Sequence, residues 1–377
     1  MRYLAILGRQ PEISLAELRA QFGDVESISP VVKGSSLATF SANSRPELSR
    51  FGGSLKFGEL LSVSPAKFLS SLPEGKITLG VSDYSMRASA RSAASEALKL
   101  KRVLKKAGRS VRVLPNSAGS AISTAAAHHN GLGVFDKPLH VELMRVGKDW
   151  YRSIGAQNIT AYARRDQARP ARDARVGMLP PKLAQILINL CGELPDGARV
   201  LDPFCGTGVV LQEAILMGYA AYGTDLSERM VEYSEKNLRW LAAGLQMSQD
   251  ALPFSVSTGD ATDFQWAGPI DAVACETYLG PPMSQTPVEI KLKEAKQECG
   301  GILLGFLKNL APQIKSGTPV VLAVPAWLRP DDSYSRLNLV DKIVELGYNV
   351  NKDFGSDLLY ARAGQIVARE ILILRKK

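Results

Sequence analysis

Apolar residues fall into short runs punctuated by glycine and proline, and the spacing within the runs switches between strand and helix periods. Met1 to Gly8 predicts a strand. Ser14-Leu-Ala-Glu17 has the form of a capping box ahead of Leu15, Leu18 and Phe22 at helical spacing, which predicts a helix start there. Val31 to Phe40 and Gly58 to Val63 predict further strands, and Ser-Ser-Leu-Pro-Glu-Gly closes a small α+β unit near residue 75. Strand Thr78 to Ser82, a helix through Lys99 to Lys106, and strands Ser110 to Leu114 and Leu139 to Val146 then alternate as an α/β module to about residue 165. Pro180 and Pro181 open an apolar helix, Lys182 to Cys191, as proline does at a helix start.

From residue 196 onward strands and helices keep alternating. Strands are predicted at Arg199 to Leu201, Ala220 to Asp225, Ser255 to Asp260, Ile270 to Glu276 and Pro319 to Pro325. Helices are predicted at Val209 to Met217, Ser227 to Arg239, Glu289 to Leu310 and Arg336 to Leu346, with a last hairpin turning at Ala363-Gly364-Gln365. The resulting division is 1–75, 76–165, a linker with a connecting helix at 166–195, and 196–377, α/β overall.

Composition adds little to this, and charge adds more. Four cysteines without metal-ligand spacing and three histidines lead us to expect reduced thiols and no metal site. The apolar start is too short for a signal-peptide core and no run approaches a membrane span, so a cytoplasmic protein without membrane contact is expected. The net charge of +9 is split unevenly, with residues 1–175 at +13 and the rest at −4. Residues 76–175 alone hold 19 basic against 7 acidic side chains, including Lys99, Lys101, Arg102, Lys105 and Lys106 on one predicted helix. Such a run is either a solvated helix face or a contact for a polyanion such as RNA.

The stretch Arg-Val-Leu-Asp-Pro-Phe-Cys-Gly-Thr-Gly-Val-Val from Arg199 to Val210 is a strand, a glycine turn and a helix start. A ligand sits naturally at such a helix N-terminus, where unpaired N–H groups point outward. Asp202 at the strand end repels a pyrophosphate but suits the ammonium of an amino-acid moiety, which S-adenosylmethionine carries, and the dinucleotide spacing Gly-x-Gly-x-x-Gly is absent. Asp225, about twenty residues on, is placed to hold ribose hydroxyls or to cap the next helix. Asp260 at the next strand end can accept from an adenine amine.

Asp-Pro-Phe-Cys-Gly-Thr-Gly resembles the first motif of class I methyltransferases that modify exocyclic amines. The start Tyr-Leu-Ala-Ile-Leu-Gly-Arg-Gln-Pro-Glu-Ile-Ser-Leu, the junction Gln157-Asn-Ile-Thr-Ala-Tyr-Ala-Arg-Arg-Asp166 with Arg169-Pro-Ala-Arg-Asp173 and Gly177 to Leu190, and the ending Tyr-x-Arg-x-Gly-Gln-x-Val-x-Arg-Glu-Ile are similar to THUMP-domain tRNA guanosine-N2 methyltransferases. The resemblance implies a ferredoxin-like part and a THUMP RNA-binding domain ahead of a Rossmann-like methyltransferase domain. It also implies S-adenosylmethionine as methyl donor and tRNA as partner, with the acceptor guanosine near position 10 and no required protein partner. On the matching positions the cofactor falls to Asp202, Phe204, Gly206, Gly208, Asp225, Leu226, Asp260 and Ala261, and the RNA to the five basic helix residues together with Arg164, Arg165, Arg169 and Arg172.

The catalytic loop departs from the family. Related enzymes carry Asp or Asn, then Pro-Pro and an aromatic, whereas this chain has Glu276-Thr-Tyr278-Leu-Gly-Pro-Pro282. Glu276 can accept hydrogens of the amine and Tyr278 can stack on the base. Alternatives stay open: an RNA-binding protein that keeps the fold without turnover, a ribosomal RNA substrate, or pyrimidine C5 methylation through Cys275, whose position inside an apolar strand favours a buried structural thiol.

Overall fold

The computed structural model describes residues 1–32, 35–116, 119–173, 178–246, 252–351, 353–354 and 358–377, and divides into two compact units, Met1–Tyr162 and Ala163–Lys377. Gly177, within the expected junction, and positions 33–34, within the expected strand from Val31, lie outside the described residues.

The first unit is built on β1 (Arg2–Leu7), α1 (Pro11–Phe22), β2 (Val25–Val32), β3 (Ser35–Ser41), β4 (Ser54–Leu60), α2 (Pro65–Ser70), β5 (Ile77–Asp83), α3 (Ala90–Lys106), β6 (Val111–Val113), α4 (Thr124–His129), β7 (His140–Val146) and β8 (Asp149–Ala156). The eight strands form one sheet in the order β2-β3-β1-β4-β8-β7-β5-β6. The antiparallel pairing of β4 with β8 carries the sheet across the boundary expected near residue 75. Alternation along β1 sends Tyr3, Ala5 and Leu7 to one core and Leu4 and Ile6 to another, so the strand is buried on both faces. α3 is amphipathic, burying Ala93, Ala97, Leu100 and Leu104 on β5, and it forms the crossover that the parallel β5–β6 pair requires.

Two expectations in this unit are corrected. The segment expected as one strand from Val31 to Phe40 is the end of one strand and the start of another, because β2 and β3 pair antiparallel as a hairpin. The capping box at Ser14 and Glu17 is not a helix start. α1 begins four residues earlier with Pro11 in its first turn, so both residues lie inside the helix and are buried. Glu17 reaches across to accept from the backbone N–H groups of Gly52 and Gly53 at 2.9 and 2.8 Å.

α5 (Ile159–Gln167) carries the chain into the second unit. There follow α6 (Pro181–Leu190), β9 (Arg199–Asp202), α7 (Val209–Leu216), β10 (Ala220–Asp225), α8 (Glu228–Gly244), β11 (Phe254–Thr258), β12 (Ala272–Glu276), α9 (Glu289–Leu310), β13 (Pro319–Leu328), β14 (Tyr334–Ser335), α10 (Val340–Glu345), β15 (Tyr348–Val350), β16 (Leu359–Tyr360) and β17 (Val367–Lys376). The main sheet runs β11-β10-β9-β12-β13-β17-β15, parallel through β13, with β17 antiparallel to both of its neighbours. This is the Rossmann-like arrangement with an antiparallel end that the sequence resemblance implies. The strand order reverses at β9, which has β10 on one side and β12 on the other, and ligands of open α/β sheets bind outside the carboxyl ends of strands at such a point.

The helix expected from Arg336 is shorter. Asn338 takes φ 56°, a left-handed conformation that interrupts a right-handed helix, so α10 begins only at Val340. Arg336 pairs instead with Glu370 at 3.1 Å.

Candidate active site

A cavity of about 1300 Å³ opens at the carboxyl ends of β9, β10 and β12. The glycine turn that leads from β9 into α7 forms one wall. Gly206 has φ 51° and Gly208, the residue before the helix, φ 78°, conformations that L side chains rarely adopt. A Cβ at Gly208 would also come within 2.9 Å of Ser234 Oγ. The turn is held from outside by Ser234, whose Oγ donates to the Gly206 carbonyl at 2.8 Å, and by Asn237, whose side chain donates to the Thr207 carbonyl at 2.9 Å.

Asp202, Asp225 and Glu276 end three neighbouring strands, and all three line the cavity. Asp202 is buried, and its Oδ1 accepts from the backbone of Phe204 at 3.1 Å. Burial pushes its carboxyl well above the ordinary range, and the Asp225 and Glu276 charges push it further, opposed by the Phe204 hydrogen bond. No cation pairs with Asp202 among the described residues. A buried carboxylate of this kind fits a ligand that brings a positive charge.

Asp225 uses both oxygens on the backbone, Oδ2 accepting from Gly206 N–H and Oδ1 from Ser227 N–H, each at 2.9 Å. Asp260 is exposed and holds its own turn, with Oδ1 accepting from the backbone and hydroxyl of Thr262, which keeps its carboxyl below the usual range. Ala261 is buried beside it, Leu226 is 73 % exposed, and Phe204 packs edge-on against Phe306 at 5.3 Å. Ala261, Leu226 and Phe204 line the same cavity as Asp260 does, so seven of the eight sequence-selected cofactor positions line it, and Gly208 lies in the turn without lining it.

Glu276, expected from the sequence to accept hydrogens of the amine, already has a cationic partner. Its Oε1 accepts from Nε of Arg369 at 2.5 Å, and both side chains are largely buried. Burial raises the Glu276 carboxyl, and Arg369 pulls it back down. Arg369 was missed by sequence reasoning. The available signal was its place in the ending Tyr-x-Arg-x-Gly-Gln-x-Val-x-Arg-Glu-Ile, just before the apolar run Ile371 to Leu374. Tyr278 is 37 % exposed at the cavity edge, its hydroxyl raised first by partial burial and then by Glu298 beside it. Cys275, the residue before Glu276 on β12, is fully buried in the core and does not line the cavity, and burial raises its thiol well above the ordinary value. That position and that thiol do not suit a nucleophile.

Residues 169–295 match the UPF0020 family, described as RMKL-like, methyltransferase domain. The matched residues lie within the second unit. Among curated proteins, the chain is similar to the tRNA (guanine(10)-N2)-dimethyltransferase of Methanothermobacter thermautotrophicus, 32 % identical over 165 residues, covering 43 % of this chain and 44 % of that protein. It is also similar to the protein of the same name from Pyrococcus abyssi, 36 % identical over 105 residues, covering 27 % and 29 %. The chain thus spans less than half the length of each of these relatives. TrmN from Thermus thermophilus is a solved structure aligned over all of both chains, at 17 % identity and a TM-score of 0.45.

The basic residues divide. Lys99, Arg102, Lys105 and Lys106 are exposed on α3 and Lys101 is half-buried there, with Lys99 pairing Glu96 at 3.3 Å. Arg164 and Arg172 are exposed at the start of the second unit. Arg165 and Arg169 are corrected as RNA contacts. Arg165 makes two hydrogen bonds to the buried Glu213 on α7, at 2.6 and 3.2 Å. Arg169 is buried and donates to Thr207 Oγ1 at 3.2 Å and to Met178 sulfur at 3.4 Å. Both support the glycine turn and its helix from behind. Among the described residues no helix is long and apolar enough to cross a membrane.

Proposed function

We propose that this protein is an S-adenosylmethionine-dependent methyltransferase acting on the N2 amine of a guanosine in tRNA, near position 10, in the cytoplasm. The observation that carries it is the pairing, in one cavity, of a buried uncompensated Asp202 beside a glycine turn with Glu276 at the end of the adjacent strand. Similarity to proteins named tRNA (guanine(10)-N2)-dimethyltransferase supports the substrate.

S-adenosylmethionine, when bound, supplies a methyl group on a sulfonium centre. Asp202 would neutralise the ammonium of its amino-acid part, and Asp225 would accept from ribose hydroxyls with the lone pairs that its two backbone contacts leave over. Asp260 would have Oδ2 for the adenine amine, and Leu226 would offer the ring an apolar flank. On the acceptor side Tyr278 stacks on the base and Glu276 takes an N2 hydrogen, which turns the nitrogen lone pair toward the methyl carbon. The proton that N2 loses on methylation would go to Glu276. The first unit is read as a THUMP-type module whose α3 lysines and arginines contact phosphates, and the target base is unstacked to reach the cavity.

Incubation with total RNA and a labelled methyl donor, followed by digestion to nucleosides, tests this reading. Label in N2-methylguanosine or N2,N2-dimethylguanosine is expected. Label confined to a C5-methylated pyrimidine, or no label in any RNA, overturns it, and the second outcome leaves RNA binding without turnover.

A further inference from the structure

The ion pair between Glu276 and Arg369 leaves hydrogen-bonding capacity facing the cavity. Arg369 spends Nε on Glu276 Oε1, a contact through one nitrogen rather than the two-bond fork that Arg165 makes with both carboxylate oxygens of Glu213. Among the described residues nothing else bonds to Glu276 Oε2 or to Arg369 Nη1 and Nη2, and none of these three atoms is sealed off as an unpartnered buried atom. Both residues line the cavity. Arg369 is held in place by the β17 ladder, in register with Pro325 on one side and Tyr360 on the other, so the guanidinium is carried by a rigid strand rather than by a loop.

Taken in order across the pair, the available groups are a donor on Arg369 followed by two acceptor positions on the Glu276 carboxylate. Guanine presents the complement along its pairing edge, an acceptor at O6 and donors at N1–H and N2–H. Adenine presents a donor and then an acceptor, and would put its N1 lone pair against the carboxylate. The array has the same donor–acceptor–acceptor order as the pairing edge of cytosine.

We propose that Arg369 and Glu276 together read the pairing edge of the flipped guanine, with Arg369 donating to O6 while Glu276 accepts from N1–H and N2–H. This rests on the guanosine-N2 reading above and adds to it how the base is chosen. It also accounts for the departure from Asp or Asn in the catalytic loop. The longer glutamate spans to a partner on β17, and the pair then supplies the O6 donor that a lone carboxylate lacks. A site built to hydrogen-bond its substrate discriminates strongly against an analogue that leaves its polar groups unpaired.

The test is a cycle between enzyme and substrate. Single-turnover methyl transfer is measured on a synthetic tRNA carrying either guanosine or 2-aminopurine riboside at the nucleotide that the wild-type protein modifies. 2-Aminopurine keeps the amine but lacks O6 and the N1 hydrogen. Wild type is expected to prefer guanosine by about a hundredfold or more, the scale of two lost hydrogen bonds to charged groups. Arg369→Gln also unpairs Glu276 and is expected to slow both substrates, with guanosine losing at least tenfold more than 2-aminopurine. Its preference therefore contracts, and because that preference is a ratio of rates it is independent of the fraction of variant that folds. Arg369→Lys, which keeps a donor and the charge, should restore part of the preference and stands in if the glutamine variant is wholly unfolded. The fluorescence of 2-aminopurine gives binding and base unstacking without turnover, and both should match between wild type and variant. Equal slowing on both substrates, or a wild type that does not distinguish them, overturns recognition while the guanosine-N2 reaction stands. A wild type that transfers no methyl group to guanosine overturns the reaction itself, and this inference with it.

Discussion

Gly206 N–H donates to Asp225 Oδ2 at 2.9 Å, so the acid that ends β10 holds the glycine turn that follows β9. The two residues are nineteen positions apart, Asp225 ending β10 and Gly206 in the turn after β9, and those two strands pair in parallel. The contact makes Asp225 a support of the turn as well as a candidate ribose ligand, and its removal should act on both.

Asp225→Ala and Asp202→Ala are each expected to weaken S-adenosylmethionine binding by about ten- to a hundredfold, the scale of a hydrogen bond or ion pair to a charged group. RNA affinity should barely change in either. Titration calorimetry with the methyl donor checks this, and wild-type affinity in both variants would remove the cofactor assignment.

The α3 lysines are expected to bind RNA through charge. Reversing Lys101, Lys105 and Lys106 to glutamate should lower tRNA affinity at least tenfold at moderate salt and flatten the dependence of log K on log salt. A salt titration that leaves wild type and the triple variant superimposed would make this helix a solvated face.

Glu213 gives a pH signature. It is buried on α7, and burial raises its carboxyl to about 7 from an ordinary 4.5, against the pull of Arg165. A raised carboxyl binds its proton more tightly in the folded chain than in the unfolded one, so its contribution to stability is present below pH 4.5 and is lost as pH rises through 7. Relative to Glu213→Gln, the wild type should lose roughly 3 kcal/mol between pH 4 and pH 8, and it should change little above that. Denaturant melts of both proteins across this range decide it, and parallel curves would rule it out.

In the first unit, Glu17→Ala should destabilise by roughly 2 to 4 kcal/mol, because it strips the acceptor from two buried N–H groups, those of Gly52 and Gly53. Thermal unfolding followed in a fragment-independent way, by hydrogen exchange at β1 and β4, reads this out in the full chain.

Cys275→Ala should keep methyl transfer within a few-fold of wild type, since the thiol faces the core and its pKa is raised by burial. Loss of all turnover in a folded, cofactor-binding Cys275→Ala protein would point to covalent chemistry.

How much of this was legible in the chain follows from which interactions are local. The strand, glycine turn and helix from Arg199 to Leu216, and the acids Asp202, Asp225, Asp260 and Glu276 at strand ends, were readable because turn conformation and strand termination are set within a few residues. The same local rules misread Ser14 and Glu17. They match a capping box, yet Pro11 starts the helix earlier and Glu17 finds its partners 35 and 36 residues away. Charge in the sequence likewise carries no direction. Arg164 and Arg165 are neighbours in the chain, but one is exposed while the other is locked onto Glu213, and Arg169 is buried beneath the glycine turn. Tertiary structure alone joined Glu276 to Arg369, 93 residues apart, because their meeting depends on β13 lying between β12 and β17 in the sheet. Sequence periodicity determines which face of a strand is apolar, whereas strand order, which decides which polar ends meet, is set by long-range packing that no single segment encodes.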